Sequence, residues 1–373
     1  MHEIPKAAEN SFNAVRLLAA LQVAYVHAIA WLKLTPTWGY DWIIQFPGVL
    51  IFFAVSGYLV FDSLLRLGSF KQFALHRASR IYPALVVNIL ILEIALYAAG
   101  QIEFTRSLPA IWAFFFFISY VLTASYELAS QWVGSGGGTL TFDHHLFQIY
   151  PSGVLWTLTV ELTFYAFIPL VALVKSRVGQ TILIVTASAA SFAYQKHLGP
   201  DPRLIVVISV IPYFWIFGIG MLVRLWRPPQ WTFKIFVPAL LIAYVLVAEW
   251  RGLDWLEWKT DPVPSASLQT VLLALLALAA GRSPLLKSKW LAKNDASYGT
   301  YLYHMLIVTG LMNIPIEQRT QWLFLPVIIG GIAAGLLSWH LIERPAMKYV
   351  RRNRELPSLP QTRASMRTHA DAA

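Results

Sequence analysis

Two side chains with chemistry to offer, Arg16 and His27, stand eleven residues apart in the otherwise apolar stretch SFNAVRLLAALQVAYVHAIAWL. An arginine at the middle of a membrane helix costs about 2.5–3.5 kcal/mol on insertion scales. Eleven residues is close to three helical turns, so both groups project from nearly one face. An imidazole can take a proton from a hydroxyl near neutral pH, and a guanidinium presents a planar fork of donors to phosphate. Taken alone, each has a plainer reading: Arg16 can snorkel to lipid phosphates, and His27 can fill one interhelical hydrogen bond.

Further polar groups lie in the apolar stretches that follow. At 1.5 Å per residue, Ser56 sits about 13 Å below Pro47, and Glu161 about 13 Å below Ser152. His27 rises about 24 Å from Ser11 and Glu93 about 18 Å from Ile81, so these four groups are expected in one layer. Arg16, Arg77 and Arg80 belong to the opposite, basic end, and His304 lies about 10 Å in from Ser297. Basic groups at a mouth suit a phosphate-bearing donor, and a histidine with a carboxylate deeper in suits proton abstraction. The roughly 15–20 Å between the two levels suits a long, thin arm such as an acyl-pantetheine. Arg77 and Arg80 also read as topology determinants, and Ser56-Gly57 as a small-residue packing notch. Buried carboxylates such as Glu93 and Glu161 are harder to dismiss.

The elements that must carry these groups are membrane helices. The chain of 373 residues is 57% hydrophobic and only 13% charged, about half the charge of a soluble domain. Eleven apolar candidates fall near 12–32, 47–66, 81–99, 107–123, 152–174, 180–197, 203–226, 232–250, 266–281, 297–314 and 320–342. Basic loops around Arg66–Arg80, Arg224–Lys234 and Arg282–Lys293, together with the tail, place those ends in the cytoplasm, and the loop 124–151 has no lysine or arginine. An odd number of crossings is then needed between Arg80 and that loop, which makes the segment IWAFFFFISYVL re-entrant or interfacial. The expected architecture is an all-α polytopic membrane helical bundle of about ten transmembrane helices, eleven if that segment crosses. Both termini are cytoplasmic. Residues 1–345 form the membrane domain and 346–373 a basic, disordered tail. The first span is too long for a signal-peptide core and has no A-x-A site.

Several chemistries drop out. Without cysteine there is no disulfide, thiolate metal site or acyl-cysteine. The charge of +10 follows from positive-inside loops rather than from a nucleic-acid partner. No Walker loop, dinucleotide glycine pattern or H-E-x-x-H is present. Asp143-His144-His145 and Gly134–Gly138 read as loop, and no metal is expected.

In order along the chain, the motifs resemble those of the acyltransferase-3 family of integral membrane acyltransferases. They are Arg16 with His27 (R-x10-H), Phe52-Phe53-Ala54-Val55-Ser56-Gly57-Tyr58, Arg77-Ala78-Ser79-Arg80-Ile81-Tyr82-Pro83, and Trp156-Thr157-Leu158-Thr159-Val160-Glu161 with Phe164-Tyr165. Ser297-Tyr298-Gly299-Thr300-Tyr301-Leu302-Tyr303-His304 and Glu343-Arg344-Pro345 complete the set. The resemblance spans about Phe12 to Pro345. It implies transfer of an acyl group, usually acetyl from cytoplasmic acetyl-CoA, to a hydroxyl of a carbohydrate or glycolipid in a bacterial inner membrane. It carries essential roles to Arg16, His27, Arg77 and Arg80. Many carbohydrate-modifying members have a fused extracytoplasmic SGNH domain, which is not seen in this chain. The membrane domain then acts alone or with a separate extracytoplasmic partner.

The expected mechanism has His27 as general base, oriented by Glu161 or, failing that, Glu93. Arg77 and Arg80 hold the CoA phosphates, and Arg16 binds the donor or polarises the thioester. Ser56, Tyr58, Glu93, Trp156 and His304 line the substrate path. A covalent acyl-Ser56 or acyl-His27 is the runner-up chemistry, and a glycan or lipid transporter or flippase the competing class.

Overall fold

The fold is seen in a computed structural model that describes residues 11–98, 102–104, 109–125, 128–130, 140–142, 152–197, 206, 208–251 and 264–355. Its helices are α1 (Phe12–Trp31), α2 (Gly48–Leu67), α3 (Phe70–Ala98), α4 (Pro109–Thr123), α5 (Leu155–Leu173) and α6 (Arg177–His197), then α7 (Phe214–Trp226), α8 (Gln230–Arg251), α9 (Pro264–Arg282), α10 (Ser297–Leu311), α11 (Phe324–Ser338) and α12 (Arg344–Glu355). A three-residue antiparallel ladder, Ile102–Phe104 with Leu140–Phe142, is the one β-sheet among the described residues.

Each expected apolar stretch overlaps one of these helices. Five spans are long and apolar enough to cross a bilayer: Phe12–Trp31, Tyr40–Leu67, Phe70–Ala95, Leu155–Leu173 and Gln321–Arg352. The structure therefore supports a polytopic helical bundle and not a particular number of crossings. The Phe-rich segment is the continuous helix α4, with Phe116 and Tyr120 in the core it shares with α3.

Two sequence expectations need correction. Arg77 and Arg80 do not lie in a loop. The chain turns at Gly68, whose φ of 63° ends α2, and α3 begins at Phe70, so both arginines are two to three turns inside a helix. Residues 346–355 are not disordered. A π-helical turn, Trp339–Glu343, joins α11 to α12, and Met347 of α12 is buried against α3. The Asp143-His144-His145 and Gly134–Gly138 segments and residues 356–373 lie outside the described residues.

Two apolar cores flank the centre. One joins α1, α3, α4, α5 and α10 through residues such as Leu85, Leu158 and Leu302. The other joins α2, α5 and α7 through Phe53, Phe164 and Phe217. In the second, α2 and α7 touch backbone to backbone. A Cβ on Gly57 would collide with the Phe217 carbonyl oxygen, and one on Gly220 with that of Ala54. Gly57 is thus a packing notch, the plainer of its two readings.

That seam sets a test. Gly220→Leu is expected to cost about 1–3 kcal/mol or more through overpacking and to collapse the monodisperse peak in fluorescence-detected size exclusion. Gly310→Ala, where an added Cβ meets nothing within 4 Å, should leave that peak unchanged.

Candidate active site

Register between the first two helices decides what meets what. The backbone N–H of Gly48, at the start of α2, donates to Gln22 Oε1 of α1 at 2.8 Å. The connection 32–47 therefore returns the chain to the level of Gln22 before α2 begins. Ser56 lies eight residues further along α2, about 12 Å back toward the basic end, which is the level of Arg16. The expected layer of His27, Ser56, Glu93 and Glu161 is not formed, because helix-rise estimates that start both helices at the membrane surface miss this return.

The central cavity instead brings together Arg16 of α1, Ser56 of α2, Glu161 of α5, and Tyr298 and Tyr301 of α10, in a volume of ≈ 40 Å³. Phe52 and Phe53 complete its wall. Ser56 Oγ donates to Glu161 Oε1 at 3.0 Å, and the Tyr165 hydroxyl, one turn along α5, donates to the same oxygen at 2.5 Å. Across the cavity, the Thr157 and Tyr301 hydroxyls lie 2.7 Å apart and tie α5 to α10. Arg77 lies 5.9 Å from the ring centres of both Phe73 and Tyr165, and its Nε is buried without a hydrogen-bond partner among the described residues. Arg77, Tyr165, Glu161 and Ser56 thus form a polar line from α3 through α5 to α2.

Arg16 and Arg80 converge on a residue that the sequence reading passed over. Asp295 Oδ2 accepts from Arg16 Nη1 at 2.9 Å and from Arg80 Nη2 at 2.5 Å, while Oδ1 accepts from Ser297 Oγ at 2.6 Å. The carboxylate is 8% exposed. Burial alone would push its pKa up. The two guanidiniums and the Ser297 hydroxyl outweigh that and hold the group well below the usual carboxylate range. Its only sequence signal is a lone acidic residue between a lysine-rich loop and the S-Y-x-x-Y motif. Glu343 of the E-R-P motif is also fully buried, accepting from Ser338 Oγ at 3.0 Å. Arg80, paired with Asp295, is 16% exposed.

α10 runs parallel to α1, because Asn13 bonds to Leu291, Arg16 to Asp295 and His27 to His304 in ascending order. His27 Nδ1 is 3.0 Å from His304 Nε2, and His304 Nδ1 is 3.2 Å from the Thr300 carbonyl oxygen. A carbonyl only accepts, so His304 carries its proton on Nδ1, its Nε2 accepts, and His27 donates from Nδ1. His27 thus meets His304, whereas Oε1 of Glu161 accepts from Ser56 and Tyr165.

The remaining expected residues lie apart from the cavity. Tyr58 stacks on Phe12 with ring centres 5.0 Å apart and accepts from Arg282 Nη1 at 3.1 Å. Trp156 packs against Tyr213 at 5.8 Å and Phe53 at 6.4 Å. Glu93 is half-buried on α3, and no cavity described here includes it. Among the described residues no group of three or more His, Asp or Glu side chains is placed to hold a metal.

Comparison with known proteins bears on what this arrangement does. The acyltransferase-3 model, described as an acyltransferase domain, matches residues 9–344. The chain is 37% identical to nodulation protein 10 of Rhizobium leguminosarum bv. viciae over 91% of its own length and 93% of that protein's. It is 26% identical to an O-acetyl transferase of Shigella phage Sf6, over 90% of this chain and 95% of the other. No solved structure matches.

Asp295→Asn leaves two guanidiniums facing an uncharged amide and is expected to cost about 3–5 kcal/mol, read as a fall in Tm in detergent. A carboxyl whose folded pKa is depressed contributes in full above its unfolded pKa of about 3.9 and loses that contribution only as pH falls through the folded value. The Tm gap between wild type and Asp295→Asn should then be the same at pH 7 and pH 5. A gap that closes by pH 5 would disprove the ion-pair assignment.

Proposed function

The chain belongs to the acyltransferase-3 family, and from that premise we propose that this acyltransferase moves an acetyl group from acetyl-CoA to a hydroxyl of a glycan or glycolipid. The basic end of the bundle faces the cytoplasm of a bacterium's inner membrane, with both termini on that side. The contact of Met347 with Arg80, and of Arg80 and Arg16 with one carboxylate, supports placing the start of α1 and the start of α12 at one end. The name of the phage relative, an O-acetyl transferase, supports acetyl as the group and oxygen as its acceptor.

The observation that carries the chemistry is the His27–His304 contact. Nε2 of His27 takes the proton of the acceptor hydroxyl as that oxygen attacks the thioester carbonyl. The C–O bond forms, the C–S bond breaks, and the imidazolium returns its proton to the CoA thiolate. His304 accepts from Nδ1–H throughout, so it fixes the ring and favours the imidazolium, as the third member of a triad does. The donor arm enters past Arg16, whose guanidinium uses one Nη on Asp295 and lines the cavity with Ser56 and Glu161. Its remaining donors suit an anionic donor or a polarised thioester oxygen. From Arg16 to His27 the path along α1 is about 16 Å, the span of a pantetheine arm. Arg77 and Arg80 act by shaping this entrance, one through Tyr165 and the other through Asp295.

One contact favours a second route. Ser56 donates to a carboxylate oxygen inside the cavity, the arrangement of a nucleophile beside its base, and would form an acyl-Ser56 that the acceptor then discharges.

Membranes incubated with acetyl-labelled acetyl-CoA test both. His27→Ala is expected to abolish label transfer to glycan, and His304→Ala to lower it about 100-fold or more. Full transfer by His27→Ala refutes the general-base role. Label that stays on purified protein and vanishes in Ser56→Ala selects the covalent route, and absence of transfer from wild type removes the enzymatic reading.

A further inference from the structure

α12 lies antiparallel on α3. Its Met347 Sδ meets Arg80 Nη1 at 4.0 Å, and its Arg351 shares a cavity with Lys71, nine residues before Arg80. This cavity, of ≈ 470 Å³, lies at the basic end, away from the catalytic centre. Its walls are apolar, from Leu67, Leu75 and Tyr349, and the last two are 49% and 69% exposed.

Its charge is unbalanced. Lys71 of α3 and Arg351 of α12 both line it, and no acidic side chain does among the described residues. The nearest acid on α2, Asp62, is already paired with Arg66 and Arg224. His76 lines the same space, and its Nδ1 is buried with no hydrogen-bond partner among the described residues. Two like charges presented by facing helices oppose the docking of α12 on α3. An anion between them reverses the sign of that interaction. The apolar walls call for more than a free anion. Basic pockets between helices at the headgroup level bind anionic lipid headgroups, and Lys71 is the second residue of its helix, which puts it at that level.

We propose that this cavity binds an anionic phospholipid of the leaflet at the basic end. The phosphate lies between Lys71 and Arg351, His76 donates to a phosphate oxygen, and the acyl chain runs along Leu67, Leu75 and Tyr349. The bound lipid clamps α12, and with it the π-helical turn carrying Glu343, onto α3.

Native mass spectrometry of the detergent-purified full chain, titrated with phosphatidylglycerol or phosphatidylcholine, tests this. Wild type should retain phosphatidylglycerol in preference to phosphatidylcholine. Lys71→Ala/Arg351→Ala should weaken phosphatidylglycerol retention about 25-fold, at roughly 1 kcal/mol per basic side chain near a membrane surface, with phosphatidylcholine unaffected. Tyr349→Ala keeps both charges and should weaken both lipids. Equal retention of the two lipids by wild type, or retention unchanged by the double variant, overturns the proposal. Displacement of phosphatidylglycerol by acetyl-CoA, or by millimolar inorganic phosphate, does so as well, because it assigns the cavity to the donor or to a free anion.

Discussion

A single buried oxygen, Oδ2 of Asp295, holds two guanidiniums that come from different helices. The other parts of the site take their positions from it. Arg16 is drawn to the level of Ser56 and Glu161, α3 is pinned by Arg80 at its third turn, and α10 begins two residues later. Two cations and one anion are here taken out of water together, and the fully buried Glu343 adds a second carboxyl to the cluster.

The second contact that orders the site, His27 with His304, uses the same two helices one level further along. Because α1 and α10 run parallel, Arg16 and His27 of α1 meet in order Asp295, two residues before α10, and His304 within it. One interface so provides an ion pair at one end and a histidine pair at the other. A shift of α10 by one turn would break both contacts together.

Much of this was written in the chain. The shared face of Arg16 and His27, the apolar helices and the order of the motifs are local properties, and helix period alone makes them legible. The pairing of carboxylates with bases was not. Glu161 was assigned to His27 because both were counted inward from the membrane surface, and the return of 32–47 to the level of Gln22 is invisible to such counting. Asp295 escaped because its importance is a matter of convergence: a lone acid near a lysine-rich loop has no meaning until Arg16 and Arg80 are folded onto it. The helical start of the C-terminal segment was hidden by its charge, since composition weighs Arg344, Lys348, Arg351 and Arg352 and not the single Met347 that docks it.

The backbone contact of α2 with α7 at Gly57 and Gly220 has a mechanical consequence. A chamber of ≈ 40 Å³ holds a water molecule or two, so the proposed entry of an acyl thioester would require it to dilate. Helices in direct backbone contact have no side-chain layer to compress, and α2 and α7 form a stiff wall. Compliance is left to the opposite side, where α5 and α10 meet through the hydroxyls of Thr157 and Tyr301. The glycine seam is then the stiffer side of the bundle and the hydroxyl seam the softer one.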